Sequence, residues 1–315
     1  MACMARKLRV EYPGAVYHVM SRGDRREPIF HDDLDHERFL ATLGEACQKS
    51  VWEVHAFCLM PNHFHLVVET PQGNLVAGMQ WLLGTSTGRF NRRHKLLGHL
   101  FSGRYKALIV DGSGEGYLKT VCDYVHLNPA RARLLAAEEP LRAYRWSSFP
   151  EYLKVASRRV AWLRVERLFG EYRIAQDSAA GRRVFEAEVE ARRGQEEGEA
   201  FKGVRRGWCL GGEQFRQELL AQVDRQLGAL HFGAERAESQ ALRAERLVEE
   251  DLKRLGWTEA VLAQRRKGDP EKVRLAQRLR EETLVTLAWI AGRLQMGSVA
   301  YLNNRLYLLR KGRLK

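Results

Sequence analysis

The sequence predicts an α+β protein, in which a ferredoxin-like antiparallel sheet with helices on one face precedes a mainly α-helical C-terminal region. Three observations support this prediction. Strand-like and helix-like segments alternate through the first half in the order β-α-β-β-α-β, the split βαβ pattern. A turn signal joins the two central strands. After about residue 153, helical patterns dominate. We therefore expect a first domain over residues 1–153, a charged helical linker over 154–202 and a helical domain over 203–315.

Each element of the first half has its own signal. The strands are rich in β-branched and aromatic residues, whereas the first helix repeats apolar residues at three- and four-residue spacing, as Phe39, Leu43 and Ala46 do. The turn Met60-Pro61-Asn62 makes a hairpin of the strands on either side. An amphipathic helix follows the last strand. The predicted strands are residues 15–21, 51–59, 63–69 and 105–110, and the predicted helices are residues 34–49, 74–92 and 115–127.

A helix-turn-helix is predicted near residues 286–309. Thr286 can cap the first helix, an apolar stripe follows it, and Met296-Gly297-Ser298 supplies the turn. In the DNA-binding form of this motif the second helix enters the major groove, so this region would bind duplex DNA. Helix pairs with a glycine turn also occur where they only pack. The side chains that the second helix would expose are Tyr301, Asn303, Asn304 and Arg305.

Composition favours a protein that meets nucleic acid. The formal net charge is +13 and the pI about 9.7, and phosphate backbones attract such a surface. An anionic membrane surface would attract it too, but no apolar run is long enough to cross a bilayer and the N-terminus lacks a signal-peptide pattern. The five cysteines are scattered without a CxxC pair, which argues against disulfides and a structural zinc cluster. We expect a soluble, cytoplasmic protein with no membrane partner.

The most informative short pattern is His63-Phe64-His65. Alternate residues of a strand point to the same face, so the two imidazoles project together while Phe64 points to the opposite side. Two imidazoles just past a tight turn can reach one divalent cation, which can polarise a phosphoryl oxygen. The alternative is that both histidines merely face solvent beside the sheet, because so short a motif is weak.

Tyr124, on the helix after the last strand, is a candidate nucleophile, because a tyrosine can form a covalent phosphotyrosine. Asn128 lies four residues later on the same face and could supply a third, oxygen ligand to a cation. It precedes Pro129, so it could instead cap a new helix over residues 129–135, or do both. Tyr117, seven residues before Tyr124, is a second candidate nucleophile, for which core packing is the favoured interpretation.

Cations flank the predicted ends of these elements, and near residues 101–106 they alternate with aromatic residues. Such a mixture suits a single strand, whose bases stack while its phosphates pair with charge. Taken separately, each cation could be an ordinary surface charge. The candidate DNA-binding residues of the first domain are Arg22, Arg104, Lys106, Arg131 and Arg133.

Together these residues resemble the REP-associated tyrosine transposases, which belong to the single-tyrosine HUH endonucleases. The resemblance covers roughly residues 8–150, and its four motifs occur in the right order, which is far more specific than HxH alone. The matching segments are Tyr12–Val19 (YPGAVYHV), Met60–Val67 (MPNHFHLV), Gly103–Ala107 (GRYKA) and Tyr124–Ala132 (YVHLNPARA).

The resemblance implies roles for the candidate residues. His63 and His65 would be metal ligands for Mg²⁺ or Mn²⁺, and Tyr124 would attack single-stranded, hairpin-forming DNA to leave a 5′-phosphotyrosine and a free 3′-hydroxyl. Asn128 stands where related enzymes place a polar metal ligand, commonly Gln. The implied protein is a monomer or a homodimer. The C-terminal region departs from the family's shortest members and is similar to the DNA-reading domain of replication initiators.

Two other functions remain open from the sequence. A catalytically inactive, sequence-specific DNA-binding regulator derived from a transposase would keep the fold and the charge without the chemistry. An RNA-binding protein could use the same type of sheet, although no aromatic pair on adjacent strands supports it. The joint presence of His63, His65 and Tyr124 favours the nuclease.

Overall fold

A five-stranded sheet forms the centre of the N-terminal part of the chain. The computed structural model describes residues 10–193, 201–227 and 234–312. The strand order is β2-β3-β1-β4-β5, with antiparallel pairing among the first four and a parallel pair between β4 and β5. The α+β class and the ferredoxin-like order β2-β3-β1-β4 are as predicted, and β5 is an addition. The strands are β1 (Ala15–Arg22), β2 (Glu53–Met60), β3 (His63–Thr70), β4 (Lys106–Val110) and β5 (Cys209–Leu210).

Helices cover both faces of this sheet, so the prediction of helices on one face was wrong: the helix after β4 packs on the face opposite the first two helices. The first two helices pack on the face that carries Phe64, whose ring lies 4.9 Å from that of Phe39 between centroids. Gly78 allows the second helix to approach closely, because a Cβ there would lie 2.1 Å from the Trp52 ring. The third helix packs on the opposite face, against β2, β3 and β4. These helices are α1 (Asp33–Ser50), α2 (Leu75–His94) and α3 (Tyr117–His126), followed by α4 (Asn128–Arg131) and α5 (Phe149–Leu153).

Residues after 153 continue the first core instead of forming a separate linker. Phe185 is fully buried and its ring stacks on Tyr152 at 4.9 Å between centroids. Asp123, buried on α3, accepts hydrogen bonds from Tyr172 and Arg192, and burial raises its pKa to about 6 against the effect of these partners. The helices here are α6 (Glu166–Glu171), α7 (Ala179–Ala191), α8 (Lys202–Arg206) and α9 (Glu213–Leu227).

The division of the chain therefore differs from the predicted boundaries at 153 and 202. The structure forms two compact units, Met1–Arg225 and Gln226–Lys315. Sequence reading took the stretch from residue 179 as a solvated helix because charged residues dominate it. Its buried side is only Phe185 and Val189, four residues apart, which is enough for one helix to dock. Residues 194–200 of the predicted linker lie outside the described residues.

The second unit is helical, with its own apolar core. Two of its helices flank a turn at the predicted position: Thr286 accepts a hydrogen bond from the Trp289 amide, Ser298 accepts one from Tyr301, and Gly297 between them has a φ of 83°. None of the described helices has the length and apolar character needed to cross a membrane. The helices are α10 (Ala234–Leu255), α11 (Glu259–Gln264), α12 (Pro270–Glu282), α13 (Leu287–Arg293) and α14 (Val299–Arg310).

Candidate functional site

The two histidines of the HxH pattern lie at the start of β3, on the sheet face that α3 covers. In the register of the sheet, His63 is opposite Arg22 of β1, and His65 is opposite Met20. Phe64 points to the other face, where its ring contacts Phe39 and Phe101. The alternation that the sequence predicted is therefore present.

A third histidine, His18 of β1, lies beside this pair. Its Nε2 is 2.9 Å from Nδ1 of His65, and the two rings stack with centroids 5.1 Å apart. Nδ1 of His63 is 2.8 Å from the side-chain oxygen of Asn62. Each member of the HxH pair thus keeps Nε2 without a hydrogen-bond partner among the described residues. Fixing one ring nitrogen and leaving the other available is how proteins present an imidazole to a metal.

All three imidazoles are held neutral. Burial lowers the pKa of His18 to about 4 and, together with the positive charge of Arg22, lowers that of His63 to about 4. Burial also lowers the pKa of His65 well below its usual value, and the neighbouring His18 and His63 add to this effect. Neutral imidazole is the form that binds metal ions, so these side chains are in the ligand state near neutral pH.

Tyr124 of α3 packs against the same histidines. Its ring centroid lies 5.6 Å from that of His18 and 5.8 Å from that of His65, both edge-on. The guanidinium of Arg131 lies over the tyrosine ring at 4.4 Å, and Phe201 contacts the ring at 5.6 Å between centroids. Tyr124 is 9% exposed, so its ring has a defined place beside the imidazoles.

Asn128 follows one turn later and is buried. The short helix α4 begins at Asn128 itself, with Leu127 in the cap position, and it ends at Arg131. The predicted cap with a helix over residues 129–135 is therefore not what the structure shows. Nδ2 of Asn128 is buried without a hydrogen-bond partner among the described residues. Because amide oxygen and nitrogen exchange places on rotation, this orphaned position can present an oxygen to a cation.

A second group of residues with metal-binding side chains lies on the side of α1 and α2. Ligand atoms of His31, Asp35 and His94 lie within 4.8 Å of one another. The Asp35 carboxylate already accepts from His94 at 2.9 Å and from Arg93 at 2.5 Å. The HxH pair has the opposite character: its two imidazoles are neutral, and neither has a carboxylate partner among the described residues. Neutral imidazole is a ligand that suits several divalent cations.

Three of the predicted DNA-binding residues share one cavity of about 280 Å³ at the end of β1. We call it the basic cavity. It is also lined by residues that the sequence did not indicate. The arginines of the turn after β1 were missed because neither precedes a recognisable motif, and His18 was missed because its contact with His65 depends on strand pairing. The basic cavity is lined by Ser21, Arg22, Arg25, Arg26, Arg104 and Lys106.

The remaining predicted DNA contacts are not among the residues that line that cavity. Arg133 is exposed, with a φ of 56° just after α4. On α14, Asn303 and Asn304 are exposed as predicted. The predicted exposure of Arg305 was wrong: this side chain is half-buried and donates to the carbonyl of Gly268. It lies between the buried Leu302 and Leu306 stripe and the exposed face, where helical spacing alone cannot assign a side. The contact of Arg305 with DNA stays a prediction.

Residues 12–128 match the sequence model of the IS200-like transposases. The matched segment is less than half of the chain; it extends from just before β1 to Asn128 and contains both histidines and Tyr124. Over this segment the sequence is similar to the IS200-like transposases, in agreement with the motif resemblance. The structure also has similarity to a solved REP-associated tyrosine transposase bound to a REP hairpin, over 47% of this chain and 84% of that chain, with 13% identity and a TM-score of 0.39. No curated protein matches the sequence.

Proposed function

We propose that this protein cleaves and rejoins single-stranded, hairpin-forming DNA, with Tyr124 as the nucleophile and His63, His65 and Asn128 as ligands for Mg²⁺ or Mn²⁺. The observation that carries the proposal is the packing of the Tyr124 ring, edge-on, against His65 and its partner His18 at less than 6 Å between centroids. A tyrosine can act as the nucleophile of a covalent phosphoryl transfer, and neutral imidazoles beside it can bind a divalent cation that polarises the phosphoryl oxygen.

The reaction exchanges one phosphodiester for another. The phenolic oxygen of Tyr124 forms a bond to phosphorus, the bond from phosphorus to the 3′-oxygen breaks, and the phenolic proton ends on that oxygen. The products are a 5′-phosphotyrosine and a free 3′-hydroxyl. Because no phosphodiester bond energy is lost, a 3′-hydroxyl can reverse the step and rejoin the strand. A bound divalent cation would polarise the phosphoryl oxygen.

Neighbouring side chains hold the nucleophile in place. Arg131 lies on one side of the Tyr124 ring and Phe201 contacts it as well, so the ring keeps little rotational freedom. The guanidinium also supplies positive charge next to the phenol, where a phosphodiester would have to approach. Holding reacting groups in a fixed geometry lowers the entropic part of the barrier.

The test is a covalent-adduct assay with a labelled hairpin oligonucleotide that has a single-stranded flank, in Mg²⁺ and in Mn²⁺. We expect Tyr124→Phe to abolish the adduct and to lower cleavage by a factor on the order of 10³ or more, because the nucleophile is removed. Tyr117→Phe is the matched control. Tyr117 lies on the same helix and packs partly against the core, so its variant should form the adduct as the wild type does.

An adduct that persists in Tyr124→Phe and disappears in Tyr117→Phe would assign the chemistry to the other tyrosine. Tight hairpin binding without any adduct, in both metals and with several substrates, would favour the DNA-binding regulator instead. A specific observation keeps that second function in view: Tyr124 is largely covered by its neighbours.

We further propose that α14 reads duplex DNA. Asn303, Asn304 and Tyr307 lie on its exposed side, with Tyr307 54% exposed, and Asn is a side chain that can bind adenine in the major groove. The double variant Asn304→Ala with Tyr307→Ala should weaken binding to selected duplexes while leaving the hairpin adduct intact. Gel-shift titration against a randomised duplex pool would measure this. Equal binding by variant and wild type would leave α14 as a packing helix.

A further inference from the structure

We infer that the basic cavity binds the sugar-phosphate backbone of the DNA strand next to the phosphodiester that is cut. The inference deepens the proposed function, because it assigns the part of the protein that sets where the substrate strand lies relative to the candidate metal ligands. The sequence did not indicate Arg25 and Arg26. With these two arginines the cations form one cluster and are more than isolated surface charges.

The charge of the cavity is uncompensated. Five cationic side chains line it, and none of its lining residues is acidic. None of the five has a salt bridge within the described part of the chain, whereas arginines elsewhere in this unit, such as Arg93 and Arg167, pair closely with carboxylates. Like charges gathered in one concave surface repel one another unless an anion joins them. A polyanion is therefore the ligand that the cavity fits.

The size of the cavity agrees with such a ligand. The volume of about 280 Å³ approaches that of the smaller ligand pockets, roughly 300 Å³, and exceeds what a single small ion needs.

The cavity is tied rigidly to the candidate metal site through Asn62. The side-chain amide of Asn62 donates to the carbonyl of Arg26 at 3.0 Å, and its oxygen lies 2.8 Å from Nδ1 of His63. One side chain thus holds the cationic turn and orients a candidate metal ligand. Arg22 lies directly opposite His63 across the β1–β3 pair. Phosphates bound in the cavity would therefore keep a fixed distance from that imidazole.

The turn itself is held in an unfavourable conformation. Arg25 and Arg26 have φ values of 50° and 65°, which side chains other than glycine and asparagine rarely adopt. Backbone hydrogen bonds keep it there, from Gly23 to the Asn62 carbonyl and from Ile29 to the Pro61 carbonyl. Strain of this kind is retained where a surrounding structure over-determines it, and it concentrates at binding sites.

The experiment measures DNA binding without chemistry. In the Tyr124→Phe background, with EDTA present, fluorescence anisotropy gives the Kd of a hairpin with a single-stranded flank over a range of salt concentrations. We expect Arg25→Asn with Arg26→Asn to raise Kd about tenfold or more and to lower the salt slope by about 0.7 for each lost phosphate contact. Asparagine tolerates the left-handed backbone, so the turn is retained.

Replacing single phosphates of the flank by neutral methylphosphonates then locates the contact. The wild-type cavity should lose affinity at one or two adjacent linkages, and the double variant should lose nothing further at those same linkages. A second variant, Arg104→Gln with Lys106→Gln, should behave likewise without touching the turn. The matched control is Arg158→Gln with Arg183→Gln, two exposed arginines without ion pairs among the described residues, which should leave Kd and slope close to wild type.

Unchanged Kd and salt slope in both cavity variants would overturn the inference, as would methylphosphonate effects that are identical in variant and wild type. Neither result depends on cleavage. A protein that binds through the cavity yet forms no phosphotyrosine would therefore contradict the proposed chemistry while supporting the cavity. Melting temperatures of all variants, followed by circular dichroism, check that each one is folded.

Discussion

Two groups of histidines lie on opposite sides of the same sheet, and they differ in what surrounds them. His63 and His65 face α3 and have no carboxylate partner in the part of the chain that the structure describes. His31 and His94, on the side of α1 and α2, surround Asp35. By ligand type alone the second group looks more like a metal centre, since it contains two imidazoles and a carboxylate. The contacts of the individual atoms point the other way.

In the helical group, the carboxylate is already satisfied. Asp35 accepts hydrogen bonds from the His31 backbone, from His94 and from Arg93, and Arg93 also pairs with Asp32. These bonds join the start of α1 to the end of α2, which explains the cluster as a structural ion-pair network. A cation entering it would have to displace a guanidinium from its partner.

In the group with His63 and His65, burial disfavours the charged form of the imidazoles. Some polar atoms there have no hydrogen-bond partner among the described residues. The imidazoles of His18 and His65, both with lowered pKa values, lie beside the tyrosine ring, and the orphaned amide of Asn128 follows one turn later in the chain. Perturbed groups with unmet hydrogen-bonding capacity are typical of functional sites. Unmet hydrogen-bonding capacity, more than residue type, therefore distinguishes a candidate site from a structural network.

Replacing the histidines of each group in turn is the most direct test of this difference between the two groups. We expect His63→Ala and His65→Ala each to lower cleavage by a factor on the order of 10² or more, since each removes a proposed metal ligand. His31→Ala and His94→Ala should leave cleavage close to wild type. His94→Ala should instead lower the melting temperature by a few degrees, because Asp35 loses a partner.

Initial cleavage rates in saturating Mn²⁺ and calorimetric melting curves check these expectations together. Each group serves as the control for the other. If the helical histidines were the ones needed for cleavage, while His63→Ala and His65→Ala remained active, the assignment of the two groups would be reversed.

A smaller effect distinguishes the two roles considered for Asn128. As a ligand, its replacement by Ala should raise the Mn²⁺ concentration for half-maximal cleavage by at least about tenfold, with Asn128→Asp retaining tighter binding. If Asn128 is only a buried structural residue at the start of α4, the same replacement should lower the free energy of unfolding and leave the metal dependence unchanged. Asn91→Ala, at a helix residue on the other side of the sheet, is the matched control.

Much of the first unit could be predicted from the sequence. Period-two and period-3.6 patterns placed the first four strands and the first three helices within about two residues of their observed ends. The same alternation correctly put His63 and His65 on one face and Phe64 on the other. The four motifs in order predicted the similarity to transposases that the match over residues 12–128 bears out, because each motif constrains both residue type and position.

Other features lay beyond any local pattern. The strand Cys209–Leu210 has only two residues and carries no periodic signal. The charged composition of the helix that contains Phe185 predicted a solvated helix. Its docking depends on a short buried stripe, which the composition does not show. The predicted exposure of Arg305 was wrong because a residue at the edge of a helical stripe is assigned by its neighbours in space.

The alternating elements, the basic character and the motifs could be predicted from the chain alone, because they depend on residues close together in it. Folding in three dimensions is what places His18 next to His65, links Arg26 to His63 through Asn62 and lines one cavity with five cations. Strand pairing and loop packing bring those groups together across tens of residues. Local propensity contains no information about the distances between these groups. Hydrogen bonds and ionic interactions form only after the fold has brought the groups close together.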